Sequence, residues 1–132
     1  MGNYIPNQIS FEDVQFAQHT HVIISTLPLS RQQYLIENTV NCHEEIQVVE
    51  HAIKHKKPII VYGLNCNDPT IYKKYDQIKK LGGHVFLYTG GLFEWMLLQD
   101  IYGHTHFKTT NKTNDVLQFK PNNVLNIKYI TY

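Results

Sequence analysis

Cys66 stands in the stretch Ile59-Ile60-Val61-Tyr62-Gly63-Leu64-Asn65-Cys66-Asn67-Asp68-Pro69-Thr70, three residues beyond a glycine. An apolar run enters the stretch, and Asp-Pro followed by a helical pattern leaves it. A strand that turns tightly into a helix N-terminus makes an anion cradle, because loop amides converge there and the helix dipole adds positive potential. A cysteine in such a cradle reacts as thiolate. Phosphate-ester hydrolysis, arsenate reduction and sulfur transfer all use that arrangement. Cysteine phosphatases also need an arginine six positions on, to grip two phosphate oxygens at once. Here that position is Tyr72, and the only arginine of the chain is Arg31. Phosphatase chemistry is therefore disfavoured. The expected loop residues are Gly63, Leu64, Asn65, Asn67, Asp68 and Thr70, with Asp68 read first as the N-cap of the following helix.

The elements that would position this loop follow from periodicity. Ser10-Phe11-Glu12-Asp13 reads as a capping box opening a helix over 11–17. Residues 22–26, 59–62 and 85–88 are short β-rich apolar runs, which read as buried strands. Tyr34 to Ile36 reads as a short extended piece and residues 38–41 as a connection. Between the strands lie helical patterns. One covers 42–55, with Ile46, Val49, Ala52 and Ile53 on its apolar face. One runs from Pro69 to about Leu81, stopped by Gly82-Gly83. A third covers 92–101 after Gly90-Gly91. Alternating helices and buried strands predict an α/β fold with a small central parallel sheet covered on both faces. In such folds ligands bind beyond the carboxyl ends of the strands, where the 63–70 loop lies. The tail from 104 to 132 is expected to add short strands over 116–119 and 124–132, with a turn at Pro121-Asn122-Asn123.

The whole chain sets limits. Its 132 residues predict a single domain, with a core over about 9–103 and a C-terminal extension over 104–132. Net charge is +1, which leaves no electrostatic footprint for nucleic acid. No apolar run is long enough to span a membrane. The N-terminus lacks the pattern of a secretory signal, so secretion is not expected. Cys42 and Cys66 do not make a disulfide framework, and Cys42 reads as a structural residue. His19/His21, His51/His55 and His104/His106 have spacings that permit shared metal ligation, but no third ligand follows by spacing, so no metal site and no cofactor are expected. Leu92, Phe93, Trp95, Met96 and Leu97 read mostly as core. The alternative for them is a pocket or dimer surface beside the loop, which leaves a homo-oligomer open. Glu94 reads as lying near the loop or capping its helix.

The series strand, loop, helix, Leu81-Gly82-Gly83, strand, Gly90-Gly91-x-x-x-Trp95 resembles the C-terminal half of a rhodanese domain. GGLFEWMLLQDIYG at 90–103 is similar to divergent rhodanese-like proteins encoded by large nucleocytoplasmic DNA viruses and some protists. The resemblance extends over roughly residues 9–120. It implies a rhodanese-like fold and sulfurtransferase chemistry with a small sulfur donor and acceptor. It also implies synthesis in an infected host cell, in the cytoplasm or packaged in the virion. The loop departs from the family. Gly63 occupies the place of the persulfide-carrying cysteine, Asp68 stands where many members keep an arginine, and the loop is about two residues longer. Two readings follow. In one, Cys66 is a displaced persulfide carrier, with weak thiosulfate:cyanide turnover at best. In the other, the chain is a catalytically silent rhodanese-like module that binds a protein partner. Asp68 bears on the choice, because its repulsion of an anion about 6 Å away is about 2–3 kcal/mol at an effective dielectric near 20.

Overall fold

The structure, a computed structural model, describes residues 7–123 and Leu125. Its chain runs β1 (Gln8–Ile9), α1 (Phe11–Ala17), β2 (Val22–Ser25), α2 (Glu45–Lys54), β3 (Ile59–Tyr62), α3 (Thr70–Lys80), β4 (Val85–Tyr88) and α4 (Gly91–Tyr102). Short 3-10 turns cover Leu29–Arg31 and Val116–Phe119. The four strands form one parallel sheet in the order β1-β4-β3-β2. The fold is α/β.

Parallel strands covered on both faces need apolar side chains in both pleat directions, and this sequence supplies them. Ile23, Ile60, Tyr62 and Tyr88 join one core cluster with Val14 of α1 and Leu92, Trp95 and Met96 of α4. Ile24, Val61, Val85 and Leu87 join a second, with Val49 and Ala52 of α2 and Ile71, Tyr75 and Ile78 of α3. Successive strand residues thus serve opposite faces. The capping box of α1 forms as its spacing predicts, with Ser10 N donating to Asp13 Oδ2 at 2.9 Å and Asp13 N to Ser10 Oγ at 3.3 Å.

Three local expectations are corrected. The helix expected from Cys42 starts at Glu45, because Asn41 holds the chain in a turn first. Its Oδ1 accepts from His43 N and its carbonyl from Glu44 N, both at 2.9 Å. Ile46 is 74% exposed instead of lying on the buried face. The first turn presents Glu45 toward α3, where it pairs with Lys74. Residues 116–119 form a 3-10 turn rather than a strand. Val116 and Phe119 are three apart, so a period of three turns both toward the core while Leu117 stays exposed. The strand expected over 124–132 falls outside the described residues apart from Leu125.

The segment after α4 packs against the body. Phe107 and Phe119 are buried in the α1/α4 core cluster. Thr110 N donates to Leu35 O at 2.8 Å, and Glu37 N to Lys108 O at 3.0 Å, in antiparallel fashion. The 38–41 connection also pairs with the sheet, through a parallel bridge from Thr39 to Ile23 and Val40 N donating to Ile23 O at 2.8 Å. Among the described residues no helix is long and apolar enough to cross a membrane.

Candidate functional site

The loop between β3 and α3 is built around the Asp68 carboxylate. Leu64 N donates to Asp68 Oδ2 at 2.9 Å. Thr70 N and Thr70 Oγ1 donate to Asp68 Oδ1 at 3.0 and 2.6 Å. The carboxylate therefore does more than meet the start of α3. It reaches back across the loop to the first amide after Gly63, and so takes up amides that an anion at this helix N-terminus would use. Asn65 organises the rest: its Oδ1 accepts from Asn67 N at 2.9 Å and its carbonyl from Asp68 N at 3.2 Å. Gly63 is buried within this turn. A Cβ there would lie 2.5 Å from Asp68 Oδ2 and 2.8 Å from Ile71 Cγ2. Position 63 thus has no room for a side chain while Asp68 is folded inward.

Cys66 is exposed, with its Sγ 3.8 Å from Asn67 Oδ1. Cys42 is half-buried.

The loop is clamped by elements distant in sequence. The free N–H groups that open α4 are satisfied by loop carbonyls: Leu92 N donates to Gly63 O and Phe93 N to Leu64 O, each at 2.9 Å. Gly91 makes this approach possible. Its φ is +72°, and a Cβ would lie 2.8 Å from Gly63 O and 2.9 Å from Asn65 N. On the other side, Asn65 Nδ2 donates to Phe119 O at 3.0 Å, tying the loop to the 3-10 turn of the tail. Thr26, just past β2, has its hydroxyl 2.7 Å from that of Thr70. Glu94 folds back over the start of its own helix: Tyr88 OH donates to its Oε1 at 2.7 Å, and a Cβ on Gly90 would run into that same oxygen. Burial raises the Tyr88 phenol well above its ordinary range, and the Glu94 carboxylate raises it further. Burial likewise raises Tyr62, opposed by the Thr39 hydroxyl and the Ile36 amide that bond to its oxygen.

A groove of about 570 Å³ opens beside the loop, at the carboxyl end of the sheet. Leu64, Asn65, Asn67, Asp68 and Thr70 of the loop line it. Cys66 does not. The groove also brings in Thr26, Arg31, Lys120 and Asn122, which sequence reasoning did not assign to a site. For Arg31 a signal existed, since it is the only arginine of the chain. For Lys120 and Asn122 none did, because their place depends on how the tail folds back. The other expected candidates lie apart. His51 of α2 and His55 just past its end have ring centres 4.2 Å apart, tilted by 41°, and both are exposed. Among the described residues no group of three His, Cys, Asp or Glu is placed to hold a metal ion.

No protein-family model matches this chain, and no curated protein matches it. Solved structures share its fold. The crystal structure of a full-length protein from Lactobacillus plantarum superposes with a TM-score of 0.54 at 15% identity, covering 70% of this chain and 82% of that one. A second Lactobacillus plantarum crystal structure gives 0.52 at 17% identity, covering 70% and 83%. At such identities the likeness concerns architecture alone.

Proposed function

We propose that this chain is a rhodanese-like module whose loop binds a protein partner and does not carry sulfur. The observation that carries this reading is the Asp68 carboxylate, which takes the Leu64 and Thr70 amides for itself. An external anion such as thiosulfate would have to displace it against like-charge repulsion. The family reading is supported by element order. β3, the loop, α3 ending at Leu81-Gly82, β4 and the Gly90-Gly91 entry into α4 with Trp95 buried follow one another as the resemblance implies. Trp95 has a packing reason to stand there. Its ring meets Tyr88 and Phe107 edge-on, and its indole N–H donates to Lys108 O at 3.0 Å.

Intact mass after incubation with thiosulfate tests the reading, on the protein and on Cys66→Ser. The expected result is no added sulfur on folded, reduced protein. A gain of one sulfur atom that cyanide removes, absent from Cys66→Ser, would overturn it and make Cys66 a persulfide carrier.

A further inference from the structure

We infer that the groove beside the loop is a docking site for an extended acidic peptide segment of a partner protein. The inference rests on reading the loop as a binding element, and it adds the chemistry of what is bound. Two cations line the groove, Arg31 and Lys120, and neither makes an ion pair among the described residues. The one acid that lines it is Asp68, whose oxygens are already spent on Leu64 and Thr70. Hydrogen bonds from neutral donors leave the Asp68 charge in place, so the lining sets two cations against one acid, a net formal charge of +1, with Arg31 and Lys120 unpaired among the described residues.

Arg31 is also held in place. Its guanidinium carbon sits 5.6 Å from the centre of the Phe119 ring, and Nη2 donates to Gln118 O at 3.3 Å. Phe119 is in turn fixed by Asn65. One N–H of the five on a guanidinium is used, and the remaining donors suit a planar carboxylate. A pre-positioned arginine loses little side-chain entropy on binding, which is why such residues dominate interfaces.

The rest of the lining selects a peptide over other anions. Leu27, Pro28, Leu64 and Pro69 add apolar surface, from which a free inorganic anion gains nothing. The exposed Asn67 and Asn122 side chains can pair with a peptide backbone. The volume is within the roughly 300–1,000 Å³ typical of ligand sites. No aromatic ring lines the groove to stack a base, which weighs against single-stranded nucleic acid.

The test is a titration of ¹⁵N-labelled protein with a capped hexapeptide of alternating Glu and Leu, its Gln-Leu counterpart and inorganic phosphate. The expected result is amide shifts at Arg31, residues 64–68, Thr70 and Lys120 with the Glu peptide. Affinity should fall at least tenfold with the Gln peptide, and likewise in Arg31→Gln. Lys120→Gln provides a second variant, since Lys120 is exposed and its change leaves Phe119 in place. Equal binding of the Gln peptide, shifts elsewhere, no shifts at millimolar peptide, equal shifts with phosphate, or displacement by a single-stranded oligonucleotide would each overturn the proposal. Sulfur uptake by Cys66 is read separately by mass, so a failure of the silent-module reading is not confused with a failure of the groove.

Discussion

Gly63 and Asp68 explain one another. The sequence alone marks both as departures from the family they resemble, yet nothing in it says that they are coupled. The coupling is spatial: the carboxylate folds back over Gly63, leaving 2.5 Å to a hypothetical Cβ. Gly63→Ala should therefore destabilise by about 1–3 kcal/mol through overpacking. Because part of the clash is with Asp68, the effects of Gly63→Ala and Asp68→Ala should be non-additive by at least about 0.5 kcal/mol. Urea unfolding of the two single variants and the double variant measures this. Additive effects would mean the carboxylate yields freely. The residue types of the loop were legible in sequence, and so was the N-terminal position of Asp68 before α3. Its second contact, to Leu64, was not, since a helix-cap pattern describes only the downstream half of what a carboxylate can reach.

The joint between α4 and the loop leaves little room between the two elements. Gly-Gly before an apolar helix was readable as a break. The reason for the second glycine was not, because it depends on Gly63 O and Asn65 N lying under 3 Å from where its Cβ would be. Gly91→Ala should cost about 1–2 kcal/mol for the left-handed backbone and about 1–3 kcal/mol for the overlap. Thermal melts would show it. A loss below about 1 kcal/mol would mean that α4 can retreat from the loop. The buried strands and α3 were legible because their patterns repeat over several residues. The start of α2 and the 116–119 turn were misread for the opposite reason. Asn41 diverts only one turn of backbone, and a 3-10 turn shows a single repeat of its period.

For the whole molecule, the face of the sheet covered by α1 and α4 carries a pH dependence. Tyr62 and Tyr88 both belong to the α1/α4 cluster, and both phenols are raised above their ordinary value of 10. A raised phenol keeps its proton in the fold while the unfolded chain loses it. The stability these residues contribute is fully present below pH 10 and is lost as pH rises beyond it. Each contributes a loss of up to about 1.4 kcal/mol per pH unit there. Urea midpoints should hold steady from pH 8 to 9.5 and fall at pH 11, less steeply in Tyr62→Phe. A midpoint unchanged at pH 11 would mean that these rings ionise in place. The tail contributes to the same cluster through Phe107 and Phe119, so the site and the tail share one core.

Asp68 as the loop's own anion is tested most directly by titrating ¹⁵N-labelled protein with sulfate and following the Leu64 and Thr70 amides. In the unaltered protein these amides should not move at millimolar sulfate. In folded Asp68→Ala they should shift and saturate, because the vacated donors then accept an external anion. Saturable shifts at both amides in the unaltered protein would contradict the account, since the cradle would then be open to anionic substrates with Asp68 in place.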